Sequence, residues 1–197
     1  MNDDQNALAS FPGTARLFPL PNLVLFPHVV QPLHVFEPRY RQLTADTLAT
    51  DRLVAMPDGR YNLLVRGLSR LRIHGEEPSD RPYRVARAEL LVDGPLPSLP
   101  EAKALRKELA DKVLPRFAAG PPRKQLRDLF RGELPLGALC DILGFALPFP
   151  VEHKQALLEL LDVTRRAARL LSLLDALVPS PVEVDPDRKF PPDFSAN

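Results

Sequence analysis

The hydrophobic period changes once along this chain, and that change limits the fold more than any other feature. Before Gly94 the apolar runs are short and mostly bounded by Gly or Pro: 15–20, 28–36, 51–56, 61–66, 68–74 and 83–92. Such runs predict strands. In Leu71-Arg72-Ile73 and Val85-Ala86-Arg87-Ala88 apolar and basic residues alternate, so one face is expected to pack and the other to meet solvent. Pro57-Asp58-Gly59-Arg60 predicts a tight turn, because Asp-Gly tolerates the positive φ that hairpins require. One helix interrupts the strands: it starts at Pro38 and sets Tyr40, Leu43, Thr47 and Leu48 on one face.

After Pro100 the period becomes helical. Ala102, Leu105, Leu109 and Val113 recur at helix spacing, and 122–131, 136–145 and 151–161 predict further helices. Val163, Ala167, Leu170, Leu171, Leu174, Leu177 and Val178 form the most continuous stripe. The expected organisation is a flexible N-terminus at 1–12, a β-rich module at 13–94 and a linker at 95–100. A helical bundle at 101–178 and a Pro/Asp-rich tail at 179–197 follow, an α+β arrangement overall. Proline fits this pattern, with 23 residues against 9 glycines lying between apolar runs instead of forming a low-complexity tract.

Composition removes several function classes. A length of 197 residues with 45% hydrophobic and 26% charged residues is that of a globular chain. No apolar run approaches the ~18 residues of a membrane helix, and Asp3 and Asp4 stand where a secretory leader carries basic residues. One cysteine permits no internal disulfide and no Cys-rich zinc site, so a reducing, cytoplasmic address is expected. A net charge of +1 speaks against a dedicated nucleic-acid binder.

A search for chemistry returns no assembled site. No Gly-Lys dipeptide occurs, hence no phosphate-cradling loop. Gly67-Leu68-Ser69-Arg70-Leu71 begins like a nucleophile elbow but lacks the closing glycine. His28, His34, His74 and His153 are scattered, without the carboxylates or thiols that would complete a ligand set. Cys140 reads as a small buried hydrophobe. No catalytic residue, metal site or cofactor is expected.

Two stretches invite a binding role. Lys103 to Arg131 holds nine Lys or Arg against Glu108, Asp111 and Asp128. A basic helical face of this kind can contact phosphates, yet a solvated face is the more ordinary explanation. The run Leu17-Phe18-Pro19-Leu20-Pro21-Asn22-Leu23-Val24-Leu25-Phe26-Pro27 is too apolar for an exposed loop and too rich in proline for a central strand. Much of it must be core, and the rest could line an apolar groove.

The same residues carry a family resemblance. Phe18-Pro19-Leu20-Pro21, Leu25-Phe26-Pro27 and Pro32-Leu33-His34-Val35-Phe36-Glu37-Pro38-Arg39-Tyr40-Arg41 resemble the opening of the Lon protease N-terminal, substrate-binding domain. Asp58-Gly59-Arg60-Tyr61-Asn62-Leu63-Leu64-Val65-Arg66-Gly67, with Arg70-Leu71-Arg72-Ile73, is similar to its second signature. Pro82-Tyr83-Arg84-Val85-Ala86 resembles the strand that follows, and Lys154-Gln155-Ala156-Leu157-Leu158-Glu159 the domain's end. The resemblance implies a PUA-like β pseudo-barrel followed by a helical bundle, of the free-standing bacterial kind that lacks ATPase and protease modules. Two departures stand out. His28 follows Leu-Phe-Pro where family members usually have glycine. Met56 joins Pro57 directly where the family places a further loop and strand, so the barrel is either shortened or internally deleted. In the shortened case 53–56 pairs with 61–66 as a hairpin and leaves an open edge.

These readings lead to a non-catalytic protein that binds apolar segments of unfolded or partner polypeptides, linked to proteolysis or protein quality control. It would do so by strand addition or through an apolar groove. Phe18, Leu25, Phe26, Leu33 and Phe36 are the candidate contacts. Self-association at an open sheet edge is a further expectation. The alternative is an RNA- or DNA-binding PUA-like module using Lys103, Arg106, Lys107, Arg123, Lys124 and Arg127. Glu37 and Arg39 near the helix start are read as a dipole partner and a local ion pair in preference to groove markers.

Overall fold

The structure, a computed structural model, describes residues 6, 8–48 and 61–177. The expected strand at 51–56, its pairing with 61–66, the turn at 57–60 and the tail at 179–197 lie outside the described residues. Strands come first and helices after, an α+β fold as the change of period implies. By their contacts the described residues form two compact units: those of Val30–Leu91 group with those up to Leu23, and Val24–Val29 groups with 92–177.

The β unit holds two small antiparallel sheets. Strands β1 (Thr14–Arg16), β4 (Arg70–Glu77) and β5 (Val85–Leu91) form the first, with β5 central. Ala15 faces Ala86, and Ile73 faces Ala88 ahead of a register irregularity between Ile73 and Gly75. Strands β2 (Val30–Val35) and β3 (Tyr61–Arg66) form a ribbon that runs from Val30 opposite Arg66 to Val35 opposite Tyr61. The expected strand at 15–20 stops at Arg16, because Pro19 and Pro21 supply no ladder donors. Alternation in β5 packs as expected, with Ala86 and Ala88 buried and Arg87 exposed. In β4 it does not: Leu71 and Ile73 are 43% and 54% exposed, since no described element covers that face.

Helix α1 (Pro38–Leu48) begins where Pro38 predicts. The carbonyl of Glu37 accepts from the Tyr40 and Arg41 amides at 3.0 and 2.9 Å, and its carboxylate pairs with Arg39 at 2.8 Å. Both polar residues are thereby occupied at the helix start. Tyr40 and Thr44 supply the buried face; Thr47, expected on it, is exposed. The Thr44 hydroxyl bonds back to the Tyr40 carbonyl at 2.8 Å, which lets it lie inward.

The helical unit contains α2 (Leu99–Val113), a 3-10 turn (Leu114–Arg116), α3 (Pro121–Arg131), α4 (Leu136–Ala146), α5 (Val151–Glu159) and α6 (Val163–Ala176). Ser98 caps α2 by accepting from the Glu101 amide, and Asp162 caps α6 by accepting from the Arg165 amide. Helix α4 is apolar nearly all round and buried from Leu136 to Asp141, the signature of a central helix. Leu170 and Leu174 of α6 are fully buried in the same core.

Two details tie loop segments into this unit. Phe26 is fully buried among the helical core residues, and Gly144 of α4 makes the room: a Cβ there would meet the Phe26 ring at 3.3 Å. Arg166 of α6, also fully buried, grips Asp93 with two bonds of 2.5 and 3.0 Å and reaches Asp141 at 3.2 Å. Its remaining donors go to the Leu160, Leu161 and Gly137 carbonyls. Burial works against the charge. The Asp93 bonds and the two carboxylate charges outweigh it and hold the guanidinium above its ordinary range.

Candidate polypeptide-binding surface

The β2–β3 ribbon has one inward and one outward face. Period-2 alternation sends Val35 inward, where it is buried, with Leu33 half-buried on the same side opposite Leu63. Val30, Pro32 and His34 point the other way, opposite Arg66, Leu64 and Asn62. Phe36 continues that side, its ring stacked on His34 at 6.1 Å. His34 Nδ1 lies 2.6 Å from Asn62 Oδ1, which fixes the imidazole between strand and ring. The outward face therefore displays Val30, Leu64 and Phe36 at 45%, 60% and 40% exposure. Its one charged residue is Arg66. Six strand positions span about 20 Å, the reach of an extended hexapeptide.

A second concavity of the β unit, a cleft of about 900 Å³, lies among Phe11, Thr14, Arg16, Leu43, Thr47, Arg81, Tyr83 and Val85. Its chemistry is structural. Asp46 accepts from the Tyr83 hydroxyl at 2.5 Å, Gln42 at 2.8 Å and Arg81 at 3.0 Å. The Tyr83 bond, then Gln42 and the nearby arginines, hold the Asp46 carboxyl below the usual range. Burial, then Asp46, pushes the Tyr83 hydroxyl up. Three donors from two segments of the unit thus hold the Asp46 carboxylate in place.

The five residues expected at a peptide groove fall in both units. Phe18, Leu33 and Phe36 belong to the β unit; Leu25 and Phe26 belong to the helical unit. Phe36 is exposed, Phe18 is half-buried with its ring 4.4 Å from Tyr40, and Leu25 is half-buried. Phe26 is a core residue and offers no free surface. Val30 and Leu64, the most exposed apolar side chains of the ribbon, were missed. The signal was there: residues 30, 32, 34 and 36 share a strand face by spacing alone.

The basic residues separate in a similar way. Lys103, Arg106 and Lys107 of α2 and Arg127 of α3 line one cleft of about 390 Å³, while Arg123 and Lys124 do not. Arg106 is committed to the fold, because its guanidinium donates to the Phe130, Gly132 and Leu134 carbonyls that close α3. The two nucleophile candidates weighed from the sequence are Ser69 and Cys140. Ser69 donates to the Leu91 carbonyl at 3.1 Å, and burial pushes the Cys140 thiol up to about 12. Among the described residues no cluster of His, Cys, Asp or Glu could hold a metal ion, and no helix is long and apolar enough to cross a membrane.

Comparison with known proteins places this architecture. The family model for the ATP-dependent protease La (LON) substrate-binding domain matches residues 14–57 and 51–176. The chain belongs to that family. Lon protease 2 of Myxococcus xanthus is 27% identical over 83% of this chain, and the Lon protease of Cytophaga hutchinsonii 27% identical over 84%. The chain spans about a quarter of the length of these relatives, the match covering 24% of each. Among solved structures, the N-terminal domain of Mycobacterium avium complex Lon protease superposes with a TM-score of 0.62 at 18% identity. That match covers 84% of this chain and all of that one. The Lon N-terminal domain protein from Xanthomonas campestris gives 0.58 at 23%, covering 81% and 97%.

The Lon-domain comparison also bears on the Met56–Pro57 junction. The family model matches in two stretches, which meet and overlap at 51–57. The M. xanthus alignment is 198 positions long yet takes in 83% of 197 residues, about 164. It therefore holds about 34 positions where the relative has a residue and this chain has none.

Proposed function

We propose that this Lon-domain protein is a non-catalytic polypeptide binder, presenting the outward face of the β2–β3 ribbon to extended apolar segments of unfolded or partner proteins. Family membership supports a substrate-recognition role in proteolysis. The observation that carries the site is the joint exposure of Val30, Leu64 and Phe36 on one strand face. Apolar side chains gathered on one face gain from being covered, at about 25 cal/mol per Å². Leu33, on the inward side of the ribbon, Phe18, packed on Tyr40, and Leu25, in the helical unit, would not take part in this contact. Face-on contact is favoured over strand addition at β2, because Pro32 removes a backbone donor from that strand. The reading places the protein in the bacterial cytoplasm, in protein quality control, with neither a cofactor nor a nucleic acid as partner.

The test is binding of a fluorescently labelled, extended apolar peptide without net charge. Leu64→Asp changes an exposed side chain and leaves the core intact, and it should weaken binding at least tenfold. Unchanged binding by Leu64→Asp and by Phe36→Ser would assign recognition to another surface.

A further inference from the structure

The 390 Å³ cleft of the helical unit is lined by residues of α2, its 3-10 continuation and α3. Lys103, Lys107, Ala110 and Leu114 succeed one another along one side of α2 and its 3-10 continuation. Arg127, Phe130 and Arg131 do the same on α3. Between the two helices the floor is apolar, made by Ala110, Leu114 and Phe130, and the rim is basic on both sides.

The rim charges are unspent. Lys103, Lys107, Arg127 and Arg131 make no ion pair or side-chain hydrogen bond among the described residues. Lys112 and Arg116, on the same elements, are by contrast tied to Asp175 and to the Leu174 and Leu177 carbonyls. Four cations around one small depression repel one another; Asp111 and Asp128 on the same helices offset part of that repulsion, and negative charge brought from outside the cleft would relieve the rest. The apolar floor meanwhile rewards apolar surface set upon it.

We infer that this cleft binds an acidic, amphipathic polypeptide segment, placing apolar side chains on Ala110 and Leu114 and carboxylates against Lys103 and Lys107 on one side and Arg127 and Arg131 on the other. Charge complementarity selects the acidic partner, and the apolar floor selects polypeptide over nucleic acid. A single strand binds by stacking bases on exposed aromatic faces. Phe130, the cleft's one aromatic, is 7% exposed and has no such face to offer.

The experiment uses the full chain and a labelled dodecapeptide with a Leu-Leu-Phe centre flanked by glutamates. Three competitors accompany it: the Gln-for-Glu peptide, the Lys-for-Glu peptide and a 12-nucleotide single-stranded RNA. The acidic peptide should bind at least tenfold tighter than the Gln version, weaken as salt rises through 0.3 M, and be at least tenfold weaker on Lys107→Glu/Arg127→Glu. The neutral pair Lys107→Gln/Arg127→Gln, with unchanged circular dichroism, should give an intermediate loss. Leu64→Asp on the ribbon should leave this affinity unchanged, which separates failure here from failure of the ribbon site. Equal affinity for Glu and Gln peptides, indifference to both double variants, or RNA displacing the peptide as the tighter ligand would overturn the inference.

Discussion

His28 has a φ of +65°, the left-handed region where a side chain is strained and glycine is not. The family resemblance puts glycine at this position, and the backbone has kept the glycine conformation although the residue has changed. His28→Gly should therefore raise stability by about 0.5–1 kcal/mol in chemical denaturation, the relief of strain exceeding the added chain entropy. Arg166 is the opposite case, a residue whose loss breaks open a buried cluster. Asp141 is fully buried beside it, and Arg166→Leu would leave that carboxylate without its cation, at a cost of about 3–5 kcal/mol. Gly137 guards the same cluster, since a Cβ there would fall 2.4 Å from Asp93 Oδ2. Asp46 supplies a pH prediction. Its folded pKa is depressed, so its contribution is present above the ordinary aspartate value of about 3.9 and is lost as pH falls through the lower folded value. An NMR titration should give a midpoint below the ordinary value, and Tyr83→Phe, which removes the largest cause, should move it back up.

At the scale of elements, legibility followed periodicity. Helices α2 to α6 and strands β3 and β5 each repeat a local pattern, and their positions could be read because burial on one face is the cause of the pattern. The segment Val24–Val29 has no period. Its apolar content announced core, but which core it enters depends on a hole left by Gly144 more than a hundred residues later, and no local signal encodes that. The ribbon site was half legible for the same reason: Phe36 stood out as an aromatic, whereas Leu64 needed the β2–β3 register before its side could be known. The exposed side of β4 was misread because alternation reveals two faces without saying whether anything covers the apolar one. Packing at Phe26 has a direct consequence. Phe26→Ala should destabilise the helical unit by about 3–5 kcal/mol although its sequence neighbours are strands. Cys140 reports this cleanly, being the chain's single cysteine, buried, with its thiol pushed up to about 12. Its alkylation at pH 8 should require unfolding and should accelerate in Phe26→Ala and Leu174→Ala alike.

For the whole molecule, the two proposed surfaces differ in the force that would run them, and that difference can be measured on one sample. The ribbon face carries a single charge, Arg66, among Val30, Leu64 and Phe36, so its contact is governed by apolar burial and should change little between 0.05 and 0.3 M salt. The α2–α3 cleft joins four cations to a small apolar floor, and its contact should weaken over the same range as the charges are screened to a Debye length of about 6–14 Å. An extended apolar peptide without net charge is expected to bind in the salt-tolerant manner and to lose affinity in Leu64→Asp. Turnover is a separate matter. The chain spans a quarter of the length of its Lon protease relatives and matches their substrate-binding domain; its Ser69 hydroxyl is tied to the Leu91 carbonyl and burial pushes its Cys140 thiol up to about 12. Purified protein should accordingly hold casein without shortening it and release no phosphate from ATP above a blank. Proteolysis or phosphate release that rises and falls with the protein through successive purification steps, and disappears on its removal, would contradict this assignment even if both binding surfaces behaved as expected.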